Sequence, residues 1–149
     1  MKDNNRNVSA VYVLLDTDRD RKVAGYFTLS NCRIVPDTLP GSVAKKLNAY
    51  PDWGATKLGR MARDDFYGGY DIGTVLVARA FRVALRVAEL SGTVALVVDA
   101  KNDRLVAWYR GRGFIPFLNA TRTLFMTNAN MHAYLEAIES QLTAPSIDK

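Results

Sequence analysis

Apolar and polar positions alternate along Ser9–Asp16 (SAVYVLLD), which is rich in β-branched and aromatic residues and predicts a strand. A charged turn follows at Thr17–Arg21, and alternation resumes over Lys22–Val35, so the two stretches predict a hairpin. Pro36–Ser42 (PDTLPGS) breaks the pattern. Val43–Gly54 reads as a short helix or as a loop ended by Pro51. Ala55–Asp65 alternates again and predicts a third strand, which runs into Tyr67–Gly73 (YGGYDIG), a stretch holding three glycines. From Gly73 to Leu90 the pattern turns helical, and Arg79, Arg82 and Arg86 recur at spacings that put them on one face. Gly92–Ala100 is a nearly continuous apolar run, as expected of a buried strand. Asn102–Gly113 predicts a short helix stopped by glycine, Phe114–Asn128 two short strands, and Ala129–Leu142 an amphipathic helix. This order predicts a mixed α/β (α+β) domain whose sheet is largely antiparallel.

Composition narrows the class. A chain of 149 residues suits one domain over residues 1–149, and 48% hydrophobic content supplies a core. Residues 1–8 and 143–149 read as disordered ends. No run of uncharged apolar residues is long enough to span a bilayer, and the polar start lacks a signal-peptide core, so a cytoplasmic protein without membrane attachment is expected. Cys32 is the only cysteine, which precludes an internal disulfide, and with a single histidine, His132, no metal site is expected. A formal charge of +5 favours polyanionic partners.

The strand, glycine turn and helix around YGGYDIG form an anion-binding arrangement, because backbone N–H groups and the helix dipole point at whatever lies before the helix. The same glycines also suit a plain chain reversal. Asn102 is placed to cap the helix after it or to hydrogen-bond a ligand. Tyr109, taken alone, reads as a core tyrosine beside Trp108. Basic residues fall in three groups: Lys45, Lys46 and Lys57; Arg79, Arg82 and Arg86; Arg104, Arg110 and Arg112. The middle group reads as a solvated helix face. Trp53 and Trp108 are candidates to stack on a base, with Trp108 the more buried of the two.

Four motifs in order then carry a resemblance. They are LGRMA (Leu58–Ala62), the glycine loop, Asn102 seven residues before a tyrosine, and WYRGRGFIPF (Trp108–Phe117), with VAGYFTLS (Val23–Ser30) in support. Together they resemble the GNAT acyltransferases, and most of all the acetyltransferase toxins of bacterial toxin–antitoxin pairs. The resemblance implies a sheet split in a V around acetyl-CoA. It implies coenzyme amides paired along Met61, Ala62 and Arg63, and the pyrophosphate on Gly68, Gly69, Tyr70, Asp71, Ile72, Gly73 and Thr74, with Asn102 as a further coenzyme contact. It makes Tyr109 the acid that protonates the departing thiolate. The acceptor it implies is the α-amino group of an aminoacyl-tRNA; a small amine, a protein N-terminus and a non-catalytic binding module are the alternatives. Lys57, Arg104, Arg110 and Arg112 are then candidates for RNA phosphates, an antitoxin protein is an implied partner, and a homodimer an implied assembly. The family loop reads Arg/Gln-x-x-Gly-x-Gly/Ala. Aligned on Gly73, Gly68 replaces its first residue and Asp71 its central glycine.

Overall fold

The computed structural model describes residues 9–45 and 52–143; of the expected loose ends at 1–8 and 143–149, Thr143 instead ends the last helix and the rest lies outside the described residues, as does Lys46. The elements are β1 (Ala10–Asp16), β2 (Lys22–Ile34), α1 (Gly41–Ala44), β3 (Trp53–Arg63), α2 (Ile72–Ser91), β4 (Ala95–Asp99), α3 (Asp103–Arg110), β5 (Ile115–Phe117), β6 (Ala120–Thr127) and α4 (Asn128–Thr143). One sheet has the order β1-β2-β3-β4-β6-β5. Every neighbouring pair is antiparallel except β3 and β4. No helix among the described residues is long and apolar enough to cross a membrane.

The predicted hairpin is β1–β2, closed where Asp20 and Arg21 adopt positive φ. The strand expected from Gly92 begins instead at Ala95, because Gly92 ends α2. It adopts φ 83 and its N–H reaches the carbonyl of Ala88 at 2.8 Å. The apolar run of β4 is explained by burial on both faces. Leu96 and Val98 join Phe81, Leu76, Leu124 and Met131 in the core beneath α2 and α4. Ala95 and Val97 face a second core with Trp53, Ala55, Phe125 and Leu39.

Two features of β3 position the site. Leu58 pairs with Leu29 and Met61 with Phe27, so Gly59 and Arg60 together oppose Thr28, a β-bulge that bends the strand. The Thr28 hydroxyl accepts from the N–H of Arg60 at 2.9 Å, and a Cβ on Gly59 would lie only 2.7 Å from that oxygen. Glycine is therefore required in LGRMA by close approach. On its other edge β3 pairs with β4 only through Thr56–Leu58 against Leu96–Val98. Gly59 to Arg63 have no partner on that side, and the sheet opens there as the resemblance implies.

Candidate active site

The opening between β3 and β4 holds a cleft of about 580 Å³. Met61, Ala62 and Arg63 of β3 form one wall. Tyr70, Asp71 and Gly73 form its end at the start of α2, and Arg104, Leu105, Ala107 and Trp108 of α3 form the opposite wall. Strand, glycine loop and second helix, read separately in the sequence, thus meet in one cavity.

The loop turns without left-handed residues: among the described residues the glycines with positive φ are Gly92 and Gly113, and Asp71 stands at φ −86. A 3₁₀ turn at Asp65–Tyr67 does the reversing. Asp64 caps it by accepting from the N–H of Phe66 at 2.8 Å. The Tyr67 hydroxyl, donating to Asp16 at 2.7 Å, ties the turn to β1. Asp71 occupies the N-cap of α2 but its carboxylate makes no capping hydrogen bond. The first N–H groups of α2 therefore lack the side-chain partner an N-cap aspartate usually gives, and stay free to meet an anion.

Among the expected loop contacts, Tyr70, Asp71 and Gly73 reach the cleft, whereas Gly68, Gly69, Ile72 and Thr74 do not line it. Ile72 is a core residue whose side chain packs inward. Gly69 has open space around it. Gly73 is needed for packing, since a Cβ there would stand 3.0 Å from Cζ2 of Trp108. Gly73→Ala should cost about 1–3 kcal/mol of stability through that overpacking; chemical denaturation reads it, and an unchanged midpoint would count against the contact.

Asn102 caps α3, its side-chain oxygen accepting from the N–H of Leu105 at 2.9 Å, so its polar end is committed to the helix. Tyr109, on that helix, is 7% exposed and packs edge-on against Trp108 and Phe114. It does not line the cleft directly. Its hydroxyl makes no hydrogen bond among the described residues and is not fully sealed from solvent. Burial raises the phenol above its ordinary value, against a smaller lowering by Arg112.

The basic residues expected to meet RNA separate on inspection. Lys57 is ion-paired with Asp99 at 2.6 Å, so the pair as a whole carries no net charge. That hydrogen bond, with one from Thr123, holds the Asp99 carboxyl below its usual range despite burial. Arg104 belongs to the cleft wall. Arg110 is exposed in the last turn of α3, outside the cleft lining. Arg112 stacks on Trp108 at 3.5 Å from the ring centre, donates to the Thr74 hydroxyl at 2.9 Å and to the Trp108 carbonyl at 3.1 Å. It clasps the Tyr109 helix to the start of α2. In the middle group, Arg82 pairs with Glu139 and Arg86 with Glu89. The tryptophans exchange their expected roles: Trp53 is buried in the second core and Trp108 is half-buried in the cleft wall. The side chain of Arg63 carries no signal in the sequence beyond its place at the strand end, and no spacing rule links Arg112 to Thr74.

No protein-family model matches the chain. Solved structures do. A tyrosine-to-phenylalanine mutant of KacT superposes with TM-score 0.80 at 26% identity, over 89% of this chain and 78% of that one. AtaT complexed with acetyl-methionyl-tRNAfMet gives 0.78 at 26% identity, over 95% and 80%. The chain has the GNAT fold. Its likeness is to the GNAT toxins of toxin–antitoxin pairs, as the motifs implied. AtaTR bound with AcCoA is a further GNAT relative, with TM-score 0.73 at 28% identity over 89% and 77%. AtaT is also solved as a mutant toxin bound to the C-terminus of the antitoxin AtaR.

Proposed function

We propose that this protein is an N-acetyltransferase that moves acetyl from acetyl-CoA to the α-amino group of an aminoacyl-tRNA and thereby blocks translation. The observation that carries the reading is the cleft itself. It lies where β3 and β4 stop pairing, it ends at a helix N-terminus left uncapped by side chains, and its far wall is the helix that bears Tyr109. The AtaT complex with acetyl-methionyl-tRNAfMet and AtaTR with AcCoA support this choice of acceptor and donor. An antitoxin protein is the matching partner.

In this reading the unpaired edge of Gly59–Arg63 holds the pantetheine amides, and the start of α2 holds the pyrophosphate. The acceptor amine adds to the thioester carbonyl, the carbon–sulfur bond breaks, and Tyr109 gives its proton to the departing thiolate. A free α-amino group has a pKa near 7.7–8, so its neutral fraction attacks directly; the proton its nitrogen sheds on acylation passes to water, from which Tyr109 regains the one it gave to the thiolate.

Addition of the protein to a translation reaction tests the proposal. Inhibition should require acetyl-CoA, and the acetylated product should be sensitive to ribonuclease. Equal inhibition without acetyl-CoA would sink it, and a ribonuclease-resistant product would move the acceptor to a small amine or a protein N-terminus. Asp71 in the cleft wall favours one other reading, a binding module without coenzyme. Calorimetric binding of acetyl-CoA at micromolar strength would remove that alternative.

A further inference from the structure

The loop departs from the family pattern at Gly68, where an arginine or glutamine is replaced by a residue with no side chain. The guanidinium of Arg63 lies in contact with the place where that side chain would start. A Cβ built on Gly68 would meet Nη1 of Arg63 at 3.4 Å and Nη2 at 4.0 Å. Arg63 is the last residue of β3, with its backbone held opposite Gly25, so the strand fixes its base while the guanidinium extends over the loop. Arg63 lines the cleft together with Asp71. An arginine and an aspartate in one wall commonly pair, yet no ion pair joins these two, and the guanidinium of Arg63 has no partner among the described residues. The same holds for Arg104 in the opposite wall.

We infer that Arg63 supplies, from the neighbouring strand, the anion-binding side chain that the loop lacks at Gly68. It grips the pyrophosphate of the coenzyme from the β3 side while Arg104 approaches from α3. Two arginine charges then face the single carboxylate of Asp71, which explains how a loop with an aspartate in it still receives a doubly charged group. The inference rests on the acetyl-CoA reading and assigns its phosphate contact to a residue outside the glycine loop.

Titration of the full chain with acetyl-CoA and with S-acetylpantetheine, which lacks the pyrophosphate, tests it. Arg63→Ala should weaken acetyl-CoA binding by about tenfold or more, the size of a lost charge-assisted hydrogen bond, and leave S-acetylpantetheine unchanged. Arg63 is exposed at a strand end, so the variant should fold normally, and its melting temperature checks this. Adding Gly68→Arg to Arg63→Ala should recover binding, because the vacated space then admits the loop's own arginine; Gly68→Arg alone should gain little. An unchanged dissociation constant in Arg63→Ala, or an equal loss for both ligands, would overturn the inference. If the unaltered chain bound S-acetylpantetheine but gained nothing from the pyrophosphate, the inference alone would fall. If it bound neither ligand, the coenzyme reading would fall first and carry the inference with it.

Discussion

Replacing Tyr109 with phenylalanine should lower kcat about a hundredfold or more and leave the dissociation constant for acetyl-CoA nearly unchanged. The exchange removes one oxygen and keeps the ring. The packing against Trp108 and Phe114, with ring centres 5.2 and 5.1 Å away, survives, so the melting temperature should hold. What is lost is a hydroxyl that no group in the described chain uses, on a side chain otherwise 7% exposed. The hydroxyl has no internal partner and keeps a path to solvent, and a thiolate arriving at the cleft gives it a partner. The pKa works in the same direction. Burial raises the phenol, so the acid form persists through neutral and mildly alkaline pH. A proton donor is active in its protonated state, so activity limited by Tyr109 should fall only above the ordinary phenol value of about 10. A rate profile against pH should show that alkaline limb in the native chain and lose it in the variant. Weaker coenzyme binding with kcat intact would instead make Tyr109 a packing residue.

How far such a site can be read from sequence depends on which interactions are local. The helix at Ile72–Ser91, the buried β4 run and the β1–β2 hairpin follow from period and turn residues, and all three stand where the pattern put them, within a few residues. The cap on α3 was legible for the same reason: Asn102 and Leu105 are three residues apart. The cleft required more. Its opening depends on β3 and β4 pairing over only three residues, a register that neither strand records alone. The bulge at Gly59 was visible only as an unexplained glycine, because its cause, Thr28, lies on another strand. The glycines in YGGYDIG read as an anion-binding loop or a plain chain reversal, but the close approach of Trp108 to Gly73 is what one of them serves. The basic cluster around Tyr109 read as a single surface. In three dimensions its members divide into a cleft wall at Arg104, a clasp at Arg112 and an exposed helix end at Arg110, because side-chain direction and not sequence proximity decides what a charge meets.

Asp71→Asn should tighten acetyl-CoA binding by about tenfold and slightly destabilise the free protein. The two signs are opposite because one charge serves both states. At the start of α2 a carboxylate is favoured by the helix dipole, an effect of about 0.3–1 kcal/mol at an exposed position, even though Asp71 makes no capping hydrogen bond. The same dipole and free N–H groups are what a pyrophosphate would use. Asp71 therefore occupies the electrostatic position of the ligand. Two unit charges about 4 Å apart interact by about 1 kcal/mol in water and about 4 kcal/mol near a protein surface. The cleft is open to solvent, so the lower end governs; summed over the two charges of the pyrophosphate it reaches the roughly 1.4 kcal/mol that corresponds to tenfold. Asparagine keeps the size and suits the φ −86 backbone of this position, so shape should not change. Glycine at the same place should tighten binding as well. The gain should shrink as salt is added, because screening weakens a repulsion between solvent-accessible charges. Calorimetric titrations at low and high ionic strength measure this, and equal affinity of native and variant chains at low salt would mean that the carboxylate does not face the phosphates.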